Sequence, residues 1–163
     1  MKAINNKKTT TIQYSKSAVG RAGETLVIAN IATTNERQHH EALKVLSYWR
    51  ACHLVPLRAA VKELEDVVRH RHKNAIVAMR LKRIPSIIAK LQRFPKMGLQ
   101  EMQDIGGCRV ILRSLKHINR LRRTLMSRGT YRVKDYIKNP KEDGYRGIHL
   151  AVASVGWTGF TVF

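Results

Sequence analysis

Residues 75–93 read AIVAMRLKRIPSIIAKLQR, and this stretch decides the fold. Ala75 to Lys82 is short and apolar-rich, which predicts a strand. Pro85-Ser86 then opens a helix to about Arg93, because a proline in the first turn removes an N–H that has no helical partner anyway. On the strand, Arg80 and Lys82 share a face, since side chains alternate. On the helix, Ser86 and Lys90 are four apart and share a face. A strand end and a helix N-terminus therefore converge on one spot. Guanidinium, ammonium, hydroxyl and free backbone N–H groups meet there, and that chemistry suits a triphosphate. Ordinary surface basics beside a helix start are the plainer reading of the same residues.

Upstream, helix signals run from Ser15 or Ser17 to about Asn30. Ala32 to Gln38 reads as a connector, and a second helix spans about Gln38 to Cys52. Pro56 starts a third helix, in which Leu57, Ala60, Val61, Leu64, Val67 and Val68 repeat at threes and fours. Downstream, Phe94 to Gln103 is a loop or short turn. Gly106-Gly107 leads into a strand over Cys108 to Leu112. Ser114 caps the next helix, with Leu115, Ile118, Leu121 and Leu125 expected inside and Gly129 ending it. Tyr131 to Ile137 is a strand, Asn139 to Gly144 a turn, and Ile148 to Val155 the last strand. Helices come first, then strands and helices alternate around a sheet, so the class is α/β (α+β). Residues 1–13 read as a flexible N-terminus and 14–163 as a single domain.

The 163 residues carry a net charge of +20, with 31 Lys and Arg against 11 Asp and Glu. From Val67 to Lys134 there are 18 Lys and Arg and two acids, Glu101 and Asp104. These basics fall on several elements, which argues for a lined groove and a polyanionic partner. With 44% hydrophobic residues, the chain has material for a core. No apolar run approaches the roughly 20 residues of a membrane span, so no membrane partner is expected. Two cysteines, Cys52 and Cys108, make a poor disulfide framework, and the expected compartment is the cytoplasm. Trp49 and Tyr48 read as core residues. His39-His40 has no matching ligand set to suggest a metal. His70 to Lys73 reads as a solvated helix end.

Two further clusters carry possible chemistry. In Met102-Gln103-Asp104-Ile105-Gly106-Gly107, an isolated carboxylate precedes a strand. Mg²⁺ needs one or two carboxylates plus substrate oxygens, although a turn aspartate is the simpler reading. In Lys134 to His149, a donor-rich turn holds Tyr136, Lys141, Tyr145, Arg146 and His149. Tyr145 offers an exposed ring for base stacking, or else packs on the sheet.

In this order, the three clusters resemble the RelA/SpoT synthetase domain. Its hallmarks are an Arg-x-Lys-x-x-x-Ser element (Arg80, Lys82, Ser86), an Asp-Ile-x-Gly element (from Asp104), and a Tyr-Ile-x-x-Pro-Lys-x-x-Gly-Tyr-x-x-x-His loop (Tyr136 to His149). Trp49 to Leu57 and Tyr14-Ser15-Lys16-Ser17 resemble the single-domain toxic members of toxin–antitoxin and phage-defence systems. The resemblance implies a nucleotidyltransferase-like mixed sheet flanked by helices, with N-terminal helices. It also implies transfer of the β,γ-pyrophosphate of ATP to a ribose 3′-hydroxyl, of GDP or GTP or of a tRNA 3′ end, and a possible antitoxin partner. By resemblance, Arg80, Lys82 and Arg83 grip ATP, and Ser86 and Lys90 support that pocket. Asp104 is the catalytic residue and holds Mg²⁺. Tyr145 stacks on the acceptor base. Lys134, Tyr136, Lys141, Arg146 and His149 complete the acceptor side.

The sequence departs from the family pattern at one place. The family carries a Glu-x-Gln-x-Arg-Thr element on a strand after the acceptor loop, whereas here no acid follows Asp143. Loss of a positioned base costs about 10²–10⁴ in rate. The expectation is therefore a domain incomplete at its C-terminus, with that strand missing and a sheet edge exposed. Trp157, Phe160 and Phe163 would partly cover the edge. The alternative function is a truncated, inactive remnant that binds nucleotide or RNA without turnover.

Overall fold

Three helices lead the chain: α1 (Lys16–Ile28), α2 (Glu36–Cys52) and α3 (Leu54–Arg69). The computed structural model describes residues 13–28, 35–69, 72, 74–129, 131–152 and 160–162. Except for Gln13, the expected flexible N-terminus lies outside these. So do His70, Arg71, Lys73, Trp157, Phe163 and the expected strand residues Ala153 to Val155. The helix α2 starts two residues before Gln38, because the Asn35 side chain accepts the Arg37 N–H at 2.9 Å and caps it. Pro56 sits in the first turn of α3 rather than at its start, since the chain passes from α2 to α3 through His53 alone.

The strands are β1 (Ile76–Leu81), β2 (Gly106–Ile111), β3 (Tyr131–Asp135), β4 (Ile148–Val152) and β5 (Phe160–Val162). Between them lie α4 (Ile84–Arg93), a 3₁₀ turn (Leu99–Glu101) and α5 (Leu115–Met126). The sheet order is β1-β2-β5-β4-β3. This corrects the sequence expectation that Ile148 to Val155 is the last strand. β4 is not the last strand, and β5 fills the middle of the sheet, parallel to β2 and antiparallel to β4. Phe, Thr and Val favour strands, but a run of three is too short to stand out in a sequence. Among the described strands, the edges are β1 and β3.

Alternation divides the sheet into two faces. Val77, Leu81, Cys108, Val110, Ile148, Leu150, Tyr131 and Val133 join Leu57, Leu64, Ile118, Leu121 and Leu125 of α3 and α5 in one core. Each fully buried leucine there stabilises by about 1.5–3 kcal/mol relative to exposure. Leu115 is not among them: it opens α5 and is 57% exposed. Cys108 is buried as expected, and burial pushes its thiol pKa up to about 12. A second core joins α1, α2, α4 and the 3₁₀ turn through Val19, Leu26, Leu46, Ile87, Leu91, Leu99 and Ile105. Trp49 packs against it, and Tyr48 meets Tyr14 edge to face at 5.1 Å. No described helix is long and apolar enough to cross a membrane.

Within the second core, α1 lies on the 3₁₀ turn. A Cβ on Gly23 would stand 2.7 Å from Leu99 Cβ, so only glycine permits that approach. Alanine is the better helix former by about 1 kcal/mol. We nevertheless expect Gly23→Ala to lower the midpoint of denaturant unfolding, because the clash is with a fully buried side chain. An unchanged or raised midpoint would show that α1 is not seated this closely.

Candidate functional site

The helices of the first core cover one face of the sheet, and the other face carries the charge. Register sets who stands there. Arg80 pairs with Gly107 and Ala78 with Arg109 across β1 and β2. Lys134 pairs with His149 and Arg132 with Ala151 across β3 and β4. Thr161 of β5 lies between Arg109 and His149. Ala78, Arg80, Gly107, Arg109, Arg132, Lys134, His149 and Ala151 line a cavity of about 660 Å³, together with Lys90, Gln103, Asp104, Tyr136 and Tyr145. Five cationic side chains and one carboxylate share it.

The carboxylate is held at one corner. Lys82 follows the end of β1, Lys90 is in α4, and Asp104 precedes β2. Lys82 Nζ donates to Asp104 Oδ2 at 2.9 Å and Lys90 Nζ to Oδ1 at 2.6 Å. Partial burial raises the Asp104 pKa, but the hydrogen bonds and charges of Lys90 and Lys82 outweigh it and hold the carboxyl below its usual range. The two ammonium groups are the more buried partners, at 12% and 23% exposure against 49% for the aspartate. Ser86 stands in the first turn of α4, whose N-cap residue, Arg83, makes no side-chain cap. Of the basic cluster, Arg80 and Lys90 line the cavity, with Lys82 joined to it through Asp104. Arg83 and Ser86 do not line it.

At the other end, the donor-rich turn folds back on the sheet. Gly144 adopts φ +79°, which closes the turn and which glycine takes without strain. Tyr136, Tyr145 and His149 pack edge to face, with centroids 5.0–5.7 Å apart. Tyr145 Oη and His149 Nε2 share a hydrogen bond at 2.8 Å. Lys141 Nζ lies 4.9 and 5.0 Å from the centres of the Tyr136 and Tyr145 rings, a cation–π arrangement. Tyr145 is therefore half-buried rather than an exposed ring. Arg146 is exposed and does not line the cavity. Burial first, then the charges of Lys141, Lys134 and Arg109, push the His149 pKa below its ordinary value.

Sequence reasoning missed Arg109, Arg132 and Asp135. The arginines come into play through strand register, which a single sequence does not give. Asp135 accepts N–H groups of Ile137 and Lys138, both at 3.1 Å, and Arg122 Nη1 of α5 at 2.8 Å. It ties the turn to the far side of the sheet. A lone Asp ahead of a turn is the signal that could have found it. Among the described residues, no group of three His, Cys, Asp or Glu converges on a point, so the cavity contains no preformed metal cage.

The family model described as "Region found in RelA / SpoT proteins" matches residues 79–162, just over half of the chain. GTP pyrophosphokinase YjbM of Bacillus subtilis is 32% identical over 114 residues, covering 61% of this chain and 54% of that protein. The chain thus spans about half the length of that relative. The probable GTP diphosphokinase RSH3, chloroplastic, of Arabidopsis thaliana is 30% identical over 125 residues, covering 73% of this chain and 17% of that protein. Among solved structures, small alarmone synthetase 1 of Bacillus subtilis bound to its product pppGpp superposes with a TM-score of 0.51. It is 27% identical and covers 68% of this chain and 70% of its own. Small alarmone synthetase 2 of the same organism, 23% identical, shares the fold with a TM-score of 0.55 over 69% of this chain and 68% of its own.

The lowered His149 pKa has a defined sign. Below the ordinary imidazole value of 6.5, the unfolded chain takes this proton more readily than the folded one. Stability from this group is therefore present above pH 6.5 and is lost as the pH falls toward the folded midpoint. We expect NMR titration of His149 to give a midpoint below 6.5, and inorganic pyrophosphate bound in the cavity to raise it. A midpoint at or above 6.5 in the free protein would refute this electrostatic picture.

Proposed function

The chain belongs to the RelA/SpoT family, and we propose that it is a pyrophosphokinase that transfers the β,γ-pyrophosphate of ATP to the ribose 3′-hydroxyl of GDP or GTP. The observation that carries this reading is the corner at which Lys82 and Lys90 share Asp104, beside Arg80 on the sheet face opposite α3 and α5. Triphosphate chemistry needs fixed cations more than it needs a reactive side chain, because transfer depends on positioning and charge neutralisation. The cavity supplies five cations on four separate elements.

In this reading, Arg80, Lys82 and Lys90 bind the ATP phosphates. Arg83 and Ser86, with the uncapped first turn of α4, flank them. The acceptor lies toward Tyr136, Tyr145 and His149, with Lys134, Lys141 and Arg146 on its phosphates. The 3′-oxygen of the acceptor attacks the β-phosphorus of ATP, the bond to the α-phosphate oxygen breaks, and AMP leaves. Asp104 fits a magnesium ion, since Mg²⁺ takes one or two carboxylates and completes its shell with substrate oxygens and water. The half-exposed Asp104 side chain would hold it, and the bound ion would neutralise charge on the transferred group. Lys82 and Lys90 keep that carboxylate ionised and oriented.

A second reading, binding without turnover, is favoured by one observation. Asp104 is the sole carboxylate lining the cavity among the described residues. One assay separates the readings. ATP labelled in its β- or γ-phosphate is incubated with Mg²⁺ and GDP, GTP or deacylated tRNA in parallel. We expect label in GDP or GTP. Replacement of Asp104 by Ala or Asn should reduce that product by about 10²–10³, the usual cost of removing one preorganised charge from a transfer site. Label in tRNA alone would replace the acceptor. No label from a folded protein that still binds ATP would establish the binding-only reading.

A further inference from the structure

Arg50 stands in the last turn of α2, outside the cavity, yet it reaches the chain 32 residues later. Its Nε–H donates to the Lys82 carbonyl at 2.8 Å. On the other side, the Lys82 N–H donates to the Ile105 carbonyl at 2.7 Å. Lys82 is therefore gripped at both of its backbone groups, just where the chain leaves β1 for α4. The helical ladder of α4 begins at the Arg83 carbonyl, which accepts from Ile87 N–H, so the ladder makes no use of the Lys82 carbonyl. The guanidinium supplies the donor that the helix does not.

Arg50 is itself braced. The buried ring of His53 hydrogen-bonds the Trp49 carbonyl through Nδ1 at 2.7 Å, and Trp49 meets that ring edge to face at 5.2 Å. The His53 N–H donates to the Arg50 carbonyl at 3.2 Å. The same elbow packs on the start of β2: a Cβ on Gly106 would lie 3.4 Å from Leu57 Cδ2 and 3.6 Å from His53 Cβ. One end of the brace thus sits two residues from Asp104, and the other end holds Lys82.

We propose that Arg50 is a positioning residue: through the Lys82 carbonyl it fixes where β1 gives way to α4, and so aims the Lys82 ammonium at Asp104. Arg50 need not touch substrate to act. Its kinetic consequence rests on the pyrophosphokinase reading, whereas its effect on Lys82 does not.

Two variants test the role. Arg50→Met keeps the length of the stem and loses the donor, and Arg50→Lys keeps the charge with a different reach. The first readout is the acylation rate of Lys82 by an amine reagent, followed by mass spectrometry well below the melting temperature and referenced to the exposed Lys116. We expect Lys82 to react several-fold faster in Arg50→Met, with Lys116 unchanged and Arg50→Lys in between. The second readout is kinetic: kcat/KM for ATP falls by about tenfold to a hundredfold, as a misplacement near 1 Å does, while KM for the acceptor stays within twofold. If Lys82 and Lys116 accelerate together, or if the variants merely melt earlier with the Lys82 rate unchanged, Arg50 is a structural residue and the proposal fails. If the wild-type chain makes no product, the pyrophosphokinase reading fails, and the acylation rates still decide the role of Arg50. Should Arg50→Met not fold, the decision passes to Arg50→Lys, in which an unchanged Lys82 rate overturns the proposal.

Discussion

Asp104 keeps two ammonium groups within 3 Å of its carboxylate, and the corner of the molecule that joins β1, α4 and β2 depends on that arrangement. The three residues come from three elements, and two of the three are largely buried. Burying an ammonium is costly unless a partner is present. A shared carboxylate makes it possible to seat two of them side by side. Removing the carboxylate would leave two like charges in one partly buried space. The pair is thus a structural device and a binding device at once, because the same cations become available to an anion whenever the carboxylate is engaged elsewhere.

The sheet supplies the platform for that device. Among the described helices, α3 and α5 cover one face, and the other face carries Arg80, Arg109, Arg132, Lys134 and His149. A sheet face turned to solvent is normally polar and of mixed charge. Here it is cationic, and among the described residues no carboxylate lies within ion-pair distance of Arg80, Arg132 or Lys134. Two like charges 8 Å apart repel by about 2 kcal/mol at an effective dielectric near 20. Such a face is destabilising without a ligand and strongly attractive to one, which is the usual balance between stability and function at a site.

Much of this was legible in the sequence, for identifiable reasons. The spacing of Arg80, Lys82 and Lys90 uses only the two local periods of strand and helix, and these three meet at one corner around Asp104, whereas Ser86 stands outside the cavity lining. Asp104 stood out because acids are so rare around it. What failed to show was anything set by pairing between distant segments. Arg109 and Arg132 acquire meaning only through register. Strand β5, three residues long, has too little pattern to be found, yet it lies at the centre of the sheet. Tyr145 was legible as a residue and not as an environment: its hydroxyl meets His149 and its ring faces Lys141, so it is built into the wall of the cavity.

The position of β5 decides how the two halves of the sheet are joined. Without it the sheet would be open between β2 and β4. Cys108, Arg109 and Val110 of β2 pair with Phe160, Thr161 and Val162, and these pair in turn with Leu150, His149 and Ile148 of β4. Thr161 holds the register position between Arg109 and His149. The central strand thus sets the spacing between the two halves of the cationic face. Charge neutralisation lowers the barrier to phosphoryl-type transfer. The cations that this register gathers are therefore what the sheet contributes to the site.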